Sequence, residues 1–429
     1  MPHRKLTVCL MNDSFPPAID GVANAVVNYA RIIDRRLGKT IVAVPDYPNV
    51  EDNYPFPVVR YRSIDTTRIV GYRAGYPFSV RTVAALADAK PDIIHSHCPA
   101  MSTAMARVLR EQIDVPMVFT YHTKFDIELS RTGLAERVQK GALRLLVDNV
   151  AACDEVWVVS RGAGENLRGL GYQGEYTVME NGVDFPKGRV PEEAARALRE
   201  ELALPMDIPV YLFVGRMMWY KGIRLMMDAL ARLKQEGRDF RMVMVGDGLE
   251  RKEMEDYVKQ LELTDRVLFA GTVLDRERLR AFYCMADLFL FPSTFDTNGI
   301  VVREAAACGL GSVLIKDSCA AEDLADGENA LMIEENADSL HALLERTGFD
   351  RPALRALGQR AMDQLYLSWE DAVERAYERY GVVLENYKRG LSHRSMEWSD
   401  EVYNLMSDFC RGIKYVRGVG GAIYQKIHR

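Results

Sequence analysis

Short apolar runs alternate with helical stretches along most of this chain, and after Pro205 the alternation starts afresh. No other feature limits the fold as strongly, because this alternation is the mark of parallel βαβ units. In the first half Leu6–Met11, Thr40–Val44, Asp92–His95, Met117–Thr120, Glu155–Val159 and Tyr176–Met179 have strand character. Helical patterns such as Val22–Ile33 and Met101–Glu111 lie between them. After Pro205 the strand candidates are Val210–Val214, Arg241–Val245, Val267–Ala270, Leu288–Phe291 and Ser312–Ile315. The expectation is an α/β protein with two successive doubly wound parallel sheets, joined near residues 185–208. A helix rich in charge and aromatics is expected over Trp369–Tyr387.

A chain of 429 residues, 48% of them hydrophobic, can bury two or three domain cores. A net charge of −6 and a pI near 5.8 argue against a nucleic-acid partner. The seven cysteines form no Cys-x-x-Cys pair and no zinc-spaced cluster with histidine, which suits reduced thiols in a cytosol. The apolar run after Met1-Pro-His-Arg-Lys is too short for a signal peptide's hydrophobic core. No apolar segment approaches the roughly 20 residues of a membrane-spanning helix.

The most chemical stretch runs from Phe291 to Gly309 and sets Asp296 and Glu304 eight positions apart around an Asn298-Gly299 turn. A buried strand ending at Pro292 and a helix starting near Gly299 would aim free N–H groups and a positive helix end at one point. That suits a phosphate, and the two carboxylates beside it can accept hydrogen bonds from sugar hydroxyls. A diphosphate carrying a sugar on each side is a nucleotide sugar. The plainer alternative is a strand, loop and helix with solvated acids. Gly215-Arg216, followed by Lys221-Gly222, puts two cations on one loop at a strand's C-terminal edge, as a diphosphate would require. Taken singly, this is equally a solvated basic loop.

Near the N-terminus, Gly21 lies between a strand and a helix, where backbone can approach a ligand, and Asp20 suits a helix cap. His122 follows a strand in Thr120-Tyr-His-Thr, and His95 and His97 follow another. The last two could bind a metal only with a third ligand, and otherwise line a cleft or support the first domain. Gly246-Asp-Gly248 lacks the third glycine of a dinucleotide motif. No Asp-x-Asp occurs, so no metal-bound diphosphate is expected. The C-terminal residues Arg411, Lys414, Arg417, Lys426 and Arg429 are interleaved with apolar residues and no acid, a composition that suits an anionic membrane surface or a solvated tail. Tyr72–Phe78 is a second candidate lipid contact.

Together these motifs resemble the retaining family-four glycosyltransferases of GT-B fold, over nearly the whole chain to about residue 390. Asp296 stands where that family more often has Glu, one methylene longer, and Glu304 matches its second acid. The resemblance implies two Rossmann-like domains, residues 1–190 for the acceptor and 191–368 for the nucleotide sugar, with a donor cleft between them. A helix over 369–390 returns to the first domain, and a basic-apolar tail covers 391–429. It further implies that Glu304 accepts both ribose hydroxyls. Arg216 and Lys221, with Gly21, Gly215 and the amides of Ile300 and Val301, would hold the diphosphate. His122, Asp296 and the amides of Asn298 and Gly299 would contact the transferred sugar. Phe15–Val22, residues 72–77 and Thr120–Thr123 look like members that glucosylate diacylglycerol from UDP-glucose. Such an enzyme would be cytoplasmic, peripheral on the inner face of the cell membrane, and free of metal or other cofactors. A soluble sugar, inositol phosphate or thiol-precursor acceptor is the alternative, and a non-catalytic nucleotide-sugar binder, motivated by Asp296, is another.

Overall fold

The structure is a computed structural model that describes residues 4–18, 20–67, 73–130, 132–392, 394 and 400–408. It separates into two compact units, one holding the chain up to Glu180 together with the chain from Trp369 onward, the other Asn181–Ser368.

In the first unit the strands are β1 (Thr7–Met11), β2 (Lys39–Pro45), β3 (Val58–Tyr61), β4 (Ser63–Ile64), β5 (Ala74–Gly75), β6 (Ile93–Ser96), β7 (Met117–Tyr121), β8 (Glu155–Val158) and β9 (Thr177–Val178). Seven of them form a sheet in the order β3-β2-β1-β6-β7-β8-β9, and β4 and β5 make a separate antiparallel pair. Every pairing in the large sheet is parallel. Helices cover such a sheet on both faces, so β7 is buried at every position and appears in sequence as an unbroken apolar run. The strand order reverses between β1 and β6, which is where open α/β sheets bind ligands.

The helix Trp369–Lys388 completes this unit. Its buried residues Trp369, Ala372, Val373, Ala376, Tyr380 and Val383 repeat at helical spacing and form one apolar stripe. Tyr377 Oη accepts a hydrogen bond of 2.7 Å from the amide of Leu6. Arg379 holds Glu155 through two bonds of 2.7 and 3.0 Å. Tyr380 stacks on Trp157 at 5.3 Å and bonds His95 Nδ1 at 2.6 Å.

The segment expected from residue 391 onward as a tail begins instead as part of the first unit. Ser392 Oγ donates to Asp154 at 2.5 Å. Residues 400–408 are helical, and Asp400 accepts a 2.6 Å bond from the buried Arg107, whose guanidinium lies 3.9 Å from the Tyr403 ring. A buried ion pair is a stronger anchor than composition reveals. Arg411, Lys414, Arg417, Lys426, Arg429 and Tyr72 lie outside the described residues.

The second unit contains β10 (Val210–Val214), β11 (Arg241–Val245), β12 (Val267–Gly271), β13 (Leu288–Phe291), β14 (Ser312–Ile315) and β15 (Leu331–Ile333). They form one parallel sheet in the order β12-β11-β10-β13-β14-β15, reversing between β10 and β13. The unit begins at Asn181 and not at residue 191. The reason is local: Val183 donates its amide to Leu367 at 2.9 Å, and Phe185 and Val190 are buried in the second core.

Candidate active site

At the reversal in the second unit, the loops after β10 and β13 are forced together by glycine. Gly222 has φ 75°, a left-handed conformation, and a Cβ there would lie 1.9 Å from the carbonyl oxygen of Pro292. Only glycine permits that approach. The residue before it, Lys221, ends a short 3-10 turn and is buried. Its ammonium sits 5.5–5.6 Å from the rings of Tyr220, Phe291 and Phe295. It donates to Asp296 Oδ1 at 2.5 Å, while Asp296 Oδ2 accepts from Ser293 Oγ at 2.7 Å. A cation held by aromatic faces and a carboxylate has few ways to move. Arg216, one residue past Gly215, is exposed.

Gly299, at φ 56°, precedes the helix Ile300–Ala307, whose N-terminus has no side-chain cap. Asn298 is buried beside it, and Ile300 and Val301 open the helix. An uncapped helix start carries partial positive charge and N–H donors. The structure therefore brings Lys221, Asp296, Asn298, Gly299, Ile300 and Val301 to the C-terminal edge of one sheet, around its reversal.

Glu304 lies one turn into that helix and is buried. Its Oε1 accepts from Arg276 Nη2 at 2.7 Å and its Oε2 from Tyr283 Oη at 2.9 Å. Burial pushes the Glu304 carboxyl up from its ordinary value, and the Arg276 charge and both hydrogen bonds oppose that shift. Arg276 also lies 3.5 Å from Asp184 and over the Phe185 ring at 4.3 Å. Arg276, Tyr283 and Ser293 escape sequence reasoning. Arg276 could have been found, since it begins a helix just after the end of β12. Tyr283 could not, because a mid-helix aromatic looks like any core residue.

In the first unit, Asp13 follows β1 and accepts from the amides of Met101 and Ser102 at 3.0 and 2.8 Å. That carboxylate occupies the start of the helix Met101–Ile113, and burial raises its pKa to about 6. Asp20 caps the helix Gly21–Ile32 by accepting from Ala23 at 2.7 Å, and a side chain at Gly21 would meet no atom within 4 Å. His122 follows β7 in a buried row of imidazoles. His97 Nδ1 and His122 Nε2 are 3.0 Å apart. His95 has a partner on each nitrogen, Tyr380 at 2.6 Å and Thr120 at 2.7 Å. His95 is thus a fully buried tie to the helix Trp369–Lys388 and not a cleft-lining residue. Burial pushes His122 down to about 3 and His95 and His97 well below the usual histidine range. All three are therefore neutral imidazoles near pH 7. Among the described residues, one group could hold a metal ion: Glu236, His341 and Glu345, with ligand atoms within 4.8 Å of one another. Glu236 caps the far end of the helix that starts at Gly222, so this group is remote from Lys221.

Comparison with known proteins places these features in context. A family model described as "Glycosyl transferases group 1" matches residues 195–364, and one described as "Glycosyltransferase Family 4" matches residues 19–186. A D-inositol 3-phosphate glycosyltransferase of Xylanimonas cellulosilytica is 29% identical over 368 residues, covering 81% of this chain and 83% of the relative. An alpha-monoglucosyldiacylglycerol synthase of Acholeplasma laidlawii is 23% identical over 352 residues, covering 79% and 87%. Among solved structures, sucrose-phosphate synthase from Thermosynechococcus elongatus superposes with a TM-score of 0.74 at 22% identity, covering 89% of this chain and all of that one. Anabaena HepE in complex with UDP-glucose gives 0.69 at 18% identity, covering 88% and 100%.

Proposed function

The chain belongs to the family-four glycosyltransferases of GT-B fold, and from that premise we propose that it moves a hexose from a nucleotide sugar to a membrane lipid, with retention and without a metal ion. The observation that carries this reading is the Lys221–Asp296 pair, held at the reversal of the second sheet beside an uncapped helix start. A leaving diphosphate needs fixed positive charge. Lys221, Arg216 and the amides of Ile300 and Val301 supply it, and preorganised charge of this kind substitutes for a metal. Asp296, with the amides of Asn298 and Gly299, orients the sugar hydroxyls and supports positive charge at the anomeric carbon. Glu304 takes the ribose hydroxyls. As the bond between the anomeric carbon and the phosphate oxygen breaks, the acceptor oxygen bonds from the same face. Its proton passes to the departing phosphate oxygen, so no covalent enzyme intermediate forms.

Glucose from UDP-glucose is the donor we favour, supported by the UDP-glucose complex among the similar folds. Diacylglycerol is the acceptor we favour, supported by the Acholeplasma relative. The surface of the first unit fits this reading. Ile64 on β4, Tyr76 just after β5 and Leu405 in the C-terminal helix are 69%, 55% and 73% exposed. Phe78 and Tyr403 join those segments, with ring centroids 6.4 Å apart, and the basic tail follows. No helix among the described residues is long and apolar enough to cross a membrane. The contact we propose, on the strength of this exposed apolar surface, is a peripheral one at the inner membrane face.

A second reading, transfer to a soluble inositol phosphate, is favoured by the higher identity to the Xylanimonas enzyme. Turnover of a panel of nucleotide sugars, with diacylglycerol vesicles or with D-inositol 3-phosphate, separates the two. Lipid glucosylation that survives EDTA supports the proposal. Transfer only to inositol phosphate establishes the alternative, complete loss in EDTA restored by magnesium or manganese overturns the metal-free mechanism, and no turnover with any pair leaves a nucleotide-sugar binder.

A further inference from the structure

Glu304 is held more elaborately than a ribose ligand requires. A carboxylate has about four lone-pair directions, two on each oxygen. Arg276 takes one on Oε1 and Tyr283 takes one on Oε2, so each oxygen keeps one for another donor. The two hydroxyls of a ribose are adjacent and cis, and they need one acceptor on each oxygen of a carboxylate. We propose that Arg276 and Tyr283 are positioning residues, which fix the Glu304 carboxylate so that one acceptor direction per oxygen remains for the cis-diol of a nucleotide. The inference rests on the reading that Glu304 binds ribose, and it adds how the site keeps that group competent.

The surroundings make Arg276 the deciding partner. Tyr283 shares its helix, Arg276–Met285, and its phenol is itself pushed well above its ordinary range by burial and by Glu304, so it donates and does not ionise. Cys308, four positions after Glu304, is buried and its thiol is raised, leaving it neutral. Asp184 contributes negative charge, which works against ionisation of Glu304. Arg276 alone of these groups supplies a positive charge. It is 44% exposed at the rim, packed over Phe185 and braced by Asp184.

The experiment is calorimetric titration with UDP-, ADP- and GDP-glucose, which share the ribose and keep constant diphosphate charge, between pH 5.5 and 8.5. For the tightest-binding donor, Arg276→Gln should weaken binding at least tenfold at pH 6 and much less at pH 8.5. The midpoint of the acid loss should lie at least one pH unit above that of the unaltered protein. Arg276→Lys should recover most of the shift, Tyr283→Phe should shift the midpoint less, and Asp184→Asn should move it down. Glu304→Gln should bind weakly at every pH. If Glu304→Gln binds as well as the unaltered protein, the ribose reading itself fails. If Glu304→Gln is weak while the Arg276 variants and Asp184→Asn keep the original midpoint, the positioning role is overturned and the ribose reading stands. Should Arg276→Gln fail to fold, Arg276→Lys and Asp184→Asn still decide the matter by their midpoints.

Discussion

Lys221 illustrates how much chemistry a single side chain inherits from its cage. Three rings and Asp296 fix its ammonium before any donor arrives, so the stabilisation of a leaving group costs no rearrangement. Lys221→Ala should therefore lower kcat by about 100–1,000-fold while the protein still folds, as measured by transfer assays beside circular dichroism. The histidine row predicts a pH effect on stability. Folded His95, His97 and His122 titrate far below the ~6.5 of an unfolded histidine, so below that pH the unfolded chain binds more protons. Stability is complete above about pH 6.5 and is lost on acidification, at most ~1.4 kcal/mol per pH unit for each histidine. Asp13 runs the other way. Its raised pKa means its contribution is fullest below the unfolded ~4 and shrinks as pH rises through 6, which offsets roughly 1 kcal/mol of the histidine loss. Urea unfolding at pH 5.5 should thus report about 3 kcal/mol less than at pH 7.5, and His122→Gln should shrink that difference by about 1.4 kcal/mol, nearly half of it.

At the scale of elements, the glycine after Lys221 decides where two loops meet. Gly222→Ala must leave its left-handed conformation or displace Pro292, costing at least roughly 1–2 kcal/mol from backbone strain alone. Because Lys221 moves with it, kcat should fall further than the melting temperature suggests, which a melt and an assay on the same sample will show. Central strands were legible in the sequence because burial on both faces writes them as apolar runs; β10, β11, β13 and β14 begin and end at the expected residues. The edges were not. β3 is half-exposed and follows a proline-rich stretch, β15 has three residues, and neither carries a clear pattern. The loops around Lys221 and Asp296 could be placed because they follow legible strands. The partners of Glu304, the depth of His95 and the docking of Asp400 on Arg107 could not, since each depends on contacts between residues distant in sequence.

For the whole molecule, the proposed membrane contact rests partly on the basic residues that follow the helix of residues 400–408 in sequence. Deleting residues 409–429 should reduce co-sedimentation with anionic vesicles several-fold and make the remainder less sensitive to salt, while hydrolysis of free donor stays nearly constant. Equal vesicle binding with and without the tail would assign the contact to the Ile64–Tyr76 surface instead. The chain visits the second unit as an excursion: Val183 meets Leu367 and Ser368 at the two ends of Asn181–Ser368, so that unit starts and finishes at one place. Residues 181–368 made alone should therefore fold cooperatively, with a single unfolding transition by circular dichroism. The same connectivity orders events on the ribosome. When residue 368 leaves the exit tunnel, the inserted unit has every strand it will ever have, whereas the earlier sheet still awaits the helix that covers His95 and Trp157. The half of the protein that is born first is the half that finishes last, and a nascent chain stalled between these points would present that uncovered face to chaperones.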